Sequence, residues 1–315
     1  MRASSRCFWW GYSDRWHTYT LFRMHPDGSD IQQLSWNDVN EWFPAVANRG
    51  HLLFARWDYI DRDAVTHQNL WSMRPDGTNP MAVWGNETPK PHCTFQARAI
   101  PGSGKIICVA SAHHAVTGGP LMLIDPAVHN NSAEAVTRLT PGHYPECEHG
   151  PNGEWYNAPW PFSEKLFLVA YSRDKLMYEP ARQNPDSALG LYVLDAAGNR
   201  ELLYRDGAIG ATCPMPLAPR AMPPVLSSVG NPVLASRGLG EVFMSDVYEG
   251  LPQAKRGTLK QIRVVQVFPK TTRDSDNPRI GVAGEENTRA VLGVTPIEAD
   301  GSARFLVPVG KALLF

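Results

Sequence analysis

Apolar residues along this chain fall in short runs of about strand length, and the runs are punctuated by Asp-Gly and Pro-Asp-Gly turns. Leu21-Phe22-Arg23-Met24-His25-Pro26-Asp27-Gly28 returns 49 positions later as Leu70-Trp71-Ser72-Met73-Arg74-Pro75-Asp76-Gly77. Leu121-Met122-Leu123-Ile124-Asp125-Pro126 is a third copy. Leu191-Tyr192-Val193-Leu194-Asp195, ending at Gly198, is a fourth, delayed by a longer insertion. Each unit reads as an apolar strand, an Asp/Gly turn, a second strand ending in a leucine such as Leu34 or Leu139, a loop, and two further strands. Glycine in these turns supplies the positive backbone angles that a tight hairpin needs.

Four short antiparallel strands in every 40 to 50 residues, roughly, is the pattern of a propeller blade, whose sheet buries both faces against its neighbours. A second segment repeats in step with the first: Trp10-Gly11-Tyr12-Ser13-Asp14-Arg15 matches Trp57-Asp58-Tyr59-Ile60-Asp61-Arg62, with Val169 to Asp174 a weaker copy. A feature repeated in every blade serves the blade. Asp14-Arg15 and Asp61-Arg62 therefore read as inter-blade ion pairs, and Tyr12, Tyr59 and Tyr171 as packing residues. Near residue 221 the character changes. Pro223-Pro224, Gly230 and Pro232 mark a linker, after which strand-like runs cover 241–246, 258–268 and 303–309, and 296–305 reads as a sandwich hairpin. The expectation is an all-β chain: a β-propeller over 1–222 that enters in mid-blade, then a small β-sandwich-like domain over 240–315 that stops short. A closed ring of this type takes six or seven blades, so the four units call for more in the full protein.

Composition narrows the partners. Lys and Arg total 30 against 31 Asp and Glu, a formal charge of -1, so no field draws nucleic acid or an anionic membrane surface. No apolar run approaches the roughly 20 residues of a membrane span. Met1 to Trp10 lacks the pattern of a secretory signal. Five cysteines, an odd number without Cys-x-x-Cys spacing, indicate neither a disulfide framework nor a zinc ribbon.

Strands in a blade alternate in direction, so the Asp-Gly turns share one face and the other loops share the opposite one. Those loops carry His17, His67, His92, His113, His114, His143 and His149, seven of the ten histidines. In His143-Tyr144-Pro145-Glu146-Cys147-Glu148-His149, the donors His143, Cys147 and His149 suit zinc or another transition metal. His113-His114, before Thr117-Gly118-Gly119, is a candidate cofactor-binding or acid-base pair at the propeller mouth. The alternative for both is an ordinary polar loop, closed in the second case by its Gly-Gly turn. There is no Gly-x-Ser-x-Gly elbow, no phosphate-binding glycine loop and no Cys-x-x-Cys-His for haem attachment, so no self-sufficient catalytic motif.

The Pro-Asp-Gly repeats resemble the WD40-like propeller repeats of TolB and its relatives over roughly 8–220. The segments SAHHAVTGGPLMLIDP (111–126), YNAPWPFSEKLFLVAYS (156–172), SDVYEGLPQAKRGTLKQIRV (245–264) and PIEADGSARFLVPVGKALLF (296–315) resemble hydrazine synthase alpha-subunit-like proteins. That resemblance implies a propeller, then a β-rich middle domain, then c-type haem attachment in a C-terminal part missing here. It further implies an extracytoplasmic, periplasmic redox protein whose partners are other subunits or the missing haem domain. TolB-like propellers suggest the other class, a non-catalytic module that docks a protein.

Overall fold

The computed structural model describes residues 2–8, 18–37, 40–58, 66–113, 115–145, 155–174, 176, 184–269, 272, 274, 276–282, 284 and 286–315. Strand dominates it. The first sheet is antiparallel, with β1 (Arg2–Phe8), β2 (Thr18–Met24) and β3 (Gln32–Gln33) in that order. Two four-stranded blades follow: β4 (Glu41–Val46), β5 (Leu52–Trp57), β6 (Gln68–Met73) and β7 (Met81–Trp84), then β8 (Cys93–Ala99), β9 (Ile106–Ser111), β10 (Leu121–Ile124) and β11 (Val136–Arg138). A single parallel bridge, Gln68 to Cys93, joins them. The next blade holds β12 (Trp155–Pro161), β13 (Leu166–Ser172), β14 (Gly190–Asp195) and β15 (Arg200–Tyr204).

The repeat places each Pro-Asp-Gly or Asp-Gly turn between the last two strands of its sheet, so β1, β2 and β3 correspond to the last three strands of a blade. Gly28, Gly77 and Gly198 sit in these turns at φ of 89°, 82° and 91°, the left-handed conformation that favours glycine. The aspartate closes the turn from its side chain: Asp27 Oδ1 accepts from the Ser29 amide at 2.9 Å and Asp76 Oδ1 from the Thr78 amide at 3.0 Å.

Central strands carry unbroken apolar runs because both of their faces are covered. Every residue of β9 is buried, as are the last six of β13. Leu21 and Leu34 pack on Leu52, Phe54 and Met73 between the first sheet and the second. Leu53, Leu70 and Trp84 meet Ile106, Cys108 and Met122 between the second and third. Ile107, Val109 and Leu121 meet Tyr156, Phe167 and Tyr171 between the third and fourth. Each such side chain contributes about 1.5–3 kcal/mol by leaving water, which makes these interfaces the main cohesive force between blades. Tyr171 packs between blades as its repeat position implies, in ring contact with Tyr156 and Tyr192. Tyr12, Asp14, Arg15, Tyr59, Asp61 and Arg62 lie outside the described residues.

Beyond β15 an extended strap, residues 205–231, leads to α1 (Pro232–Ser236), whose first turn is capped by the Asn231 side chain accepting from the Val233 and Leu234 amides. Two sheets follow: β16 (Leu239–Met244) paired with β19 (Ala303–Pro308), and β17 (Gln261–Val267) flanked by β18 (Arg289–Pro296) and β20 (Ala312–Leu314). The expected hairpin over 296–305 is corrected here. Its turn is tight, with the Gly301 amide donating to the Glu298 carbonyl at 2.9 Å, but β18 pairs with β17 while β19 pairs with β16. The turn carries the chain from one sheet to the other.

Candidate functional site

Three strand ends converge on the loop face. Trp57 closes β5, Gln68 opens β6, and His113 stands two residues past β9. The His113 ring lies 5.0 Å from that of Trp57, which stacks on Trp42 of β4 at 6.0 Å and 16°. Trp42 in turn meets Phe95 of β8 edge-on at 5.5 Å. Buried Gln68 holds His113 at 2.8 Å between Nε2 and Nδ1. With the amide as donor, Nδ1 accepts and the neutral ring carries its hydrogen on Nε2. The loop after His113 is pinned by β12: Asn157 Nδ2 donates to the Thr117 carbonyl at 2.6 Å. Gly118 packs so tightly on Trp155 that a Cβ there would fall 1.6 Å from the indole nitrogen.

Glu41, the first residue of β4, is a buried carboxyl at the same end of the blade. Desolvation pushes it up to about 7, against the opposing pull of the Arg56 guanidinium and a hydrogen bond from the Ser35 hydroxyl. Ser35 Oγ also accepts from the Leu21 amide at 2.9 Å, which ties the carboxyl to the first sheet. Arg56, paired across the strands with Glu41, bonds Asp58 at 3.0 Å. Sequence alone does not single out Glu41, since nothing in Asn40-Glu41-Trp42 announces that Ser35 and Leu21 will cover it.

Of the expected site residues, the structure brings His113 into the aromatic and amide cluster. His143 is exposed on a different loop, before Tyr144, whose ring takes the Arg138 guanidinium at 4.0 Å. His114, Cys147 and His149 lie outside the described residues, as does His17. His67 and His92 flank Gln68: the Thr66 hydroxyl is 3.1 Å from His67 Nδ1, and the His92 carbonyl accepts from the Gln68 amide at 3.1 Å. Among the described residues no three His, Cys, Asp or Glu side chains gather as a metal would require.

A second feature has no counterpart in the sequence pattern. The first strand of each complete blade carries the same bulge, with two residues opposite one: Phe43-Pro44 against β5, Gln96-Ala97 against β9, and Ala158-Pro159 against β13. The leading residue of each is left-handed, at φ of 55°, 53° and 47°, unusual for residues other than glycine. Bulges re-aim the side chains around them. Here Gln96 turns toward the neighbouring blade, where its Oε1 accepts from the Ala158 amide at 2.7 Å and its Nε2 faces Asn157 Oδ1 at 3.4 Å. β4, β8 and β12 are neighbours across blades, so the bulges line the inner side of the arc.

The strap crosses that inner side. Thr212 Oγ1 donates to Asn157 Oδ1 at 2.8 Å, and the Arg220 guanidinium stands 5.2 Å from the Trp160 ring. The Pro224 carbonyl then presses on Gly50, where a Cβ would lie 2.3 Å from its oxygen, and the strap reaches the turn of the second sheet at Asp76.

Blade-type sheets in series and a strapped pair of small sheets define an all-β, propeller-type protein. No family profile and no curated protein matches the chain. Among solved structures it is similar to the hydrazine synthase of Kuenenia stuttgartiensis, with a TM-score of 0.65 at 16% sequence identity over 94% of this chain and 44% of the other. The likeness is one of fold, and this chain spans less than half of that one. A tricorn protease aligns at a TM-score of 0.28 and 12% identity, over 64% of this chain and 20% of the other, and carries no argument.

Proposed function

We propose that this chain is the propeller (1–222) and β-rich middle domain (240–315) of an extracytoplasmic haem c redox protein of the hydrazine synthase alpha-subunit type, with the loop face forming a wall of its active site. The observation that carries this reading is the extent of the superposition. It runs over 94% of the chain, through the blades and the strapped sheets together, where likeness to a propeller alone would end at the blades.

The residues present do not fit covalent haem attachment, since the 315 positions contain no Cys-x-x-Cys-His. The haem of this reading belongs to another part of the polypeptide or to another subunit. This chain would contribute the loop face: His113 and His114 toward the cofactor, and His143, Cys147 and His149 as donors for zinc or another transition metal. The fixed tilt of the His113 ring between Trp57 and Gln68 is the kind of preorganisation such a wall needs.

The test is to recover the polypeptide from its native source with an antibody raised against residues 1–315, and to assay it for covalent haem and bound metal. Haem c in the band that yields these peptides, or in a subunit held firmly to it, is the expected result; a haem-free protein with no haem-bearing subunit would refute the reading. The alternative, a non-catalytic TolB-like docking module, draws support from the exposed Leu202, Leu203 and Tyr204 on β15. Under that reading the same isolation yields a stable protein partner and no haem.

A further inference from the structure

Two arginines on the inner side of the arc have no counterion among the described residues. Arg98, the first residue past the bulge of β8, stands 4.6 Å from the Trp160 ring, and Arg220 of the strap approaches the same ring at 5.2 Å. Neither guanidinium has a hydrogen bond or a carboxylate partner among those residues. Arg98 is partly buried. Desolvation pulls its pKa down; the neighbouring Cys213 works against that shift, and repulsion from Arg220 adds to it. Arg56, Arg256 and Arg304, by contrast, are paired with Asp58, Asp246 and Glu241.

Two like charges brought to one indole, one of them partly desolvated, is an arrangement that costs free energy unless an anion completes it. The surroundings fit a small ligand with donors and acceptors of its own. The Thr212 hydroxyl and the amides of Gln96 and Asn157 form the adjoining polar network. The Cys213 thiol, next to Thr212, is exposed on the strap at φ 53°. Guanidinium forks match the paired oxygens of carboxylate and phosphate, and an aromatic face beside them holds the forks in place.

We propose that Arg98, Arg220 and Trp160 form an oxyanion-binding site at the inner rim, between the bulged strands and the strap, that takes a small carboxylate or phosphate. Because Arg220 belongs to the strap, occupation of the site also fastens the strap to the blades. The proposal is independent of the haem reading, as it uses no residue of the loop-face cluster.

The test is thermal unfolding of the 315-residue chain at constant ionic strength, replacing chloride stepwise by inorganic phosphate in one arm and by acetate in the other. A ligand that binds only the folded state raises the melting temperature in proportion to its occupancy. The expected result is a saturating rise in at least one arm, abolished in Arg220→Ala, whose side chain is exposed, and in Arg98→Gln. The arm that responds at lower concentration identifies the chemistry. Isothermal titration of the native variants with the same anion, expected to show at least a tenfold loss of affinity, covers the case in which Arg98→Gln melts too early to compare. No saturating response in either arm, or an equal response in wild type and Arg220→Ala, would overturn the proposal.

Discussion

Asp76 Oδ2 accepts a hydrogen bond of 3.1 Å from the amide of Val229, 153 positions further along the chain. The same carboxyl closes its own Pro-Asp-Gly turn through Oδ1, which accepts from the Thr78 amide and from the Thr78 hydroxyl at 2.6 Å. Desolvation works to raise its pKa, but hydrogen bonds from Thr78, Ser228 and Val229 outweigh it and hold the group at about 2. One turn aspartate thus also staples the strap that leads to the C-terminal sheets. Its counterpart Asp27 closes a turn and, among the described residues, its side chain accepts from Ser29 only.

Replacing Asp76 with alanine should therefore release the strap. The expected cost is about 1 kcal/mol for each hydrogen bond lost, and limited proteolysis should cut within 221–231 faster than in wild type. Asp27→Ala, at an exposed turn that does not touch the strap, should leave strap cleavage unchanged. Equal cleavage in the two variants would count against the staple.

Glu41 makes stability depend on pH. Folded, its carboxyl keeps a proton up to about 7; unfolded, it releases it near its ordinary 4.5. Between those values the folded state binds more protons, so this contribution is fully present below pH 4.5 and is lost as pH rises through 7. The linkage amounts to about 3 kcal/mol at most. Urea midpoints at pH 5 and pH 8 should show wild type weakening with pH relative to Glu41→Gln. Parallel responses in the two proteins would show that Glu41 is not the titrating group.

The cysteines should divide by burial. Desolvation pushes the Cys108 thiol far above its ordinary range, and Cys93 is also buried, while Cys213 is exposed. Alkylation of the native protein with mass mapping should label Cys213 within minutes and spare Cys93 and Cys108 until the chain unfolds. Early labelling of Cys108 would contradict the packing between the second and third sheets.

Legibility from the sequence followed the range of the interactions. Asp-Gly turns are local, so the residues themselves mark Gly28, Gly77 and Gly198 as turn glycines, and with them the blades and the two faces. The bulges are not legible in this way, because Phe43, Gln96 and Ala158 carry no mark of a left-handed residue and share no motif. The misread hairpin at 296–305 has the same origin: its Asp300-Gly301 turn is local, while the pairing of β18 and β19 with other strands is not. Glu41 and Arg98 stand out only because distant residues cover the one and bring Arg220 beside the other. Histidine enrichment points to a face, and of its members His113 sits in a built cluster.

The loop face is proposed above as a wall of a haem-bearing active site. An experimental structure of the protein isolated whole from its native source, with its haem and subunits, tests it most directly. The expected result is a haem domain or subunit seated on the loops at 112–119 and 140–158, with His113 facing the cofactor. A haem domain seated instead on the Asp-Gly turn face, or no haem in the assembly, would contradict it.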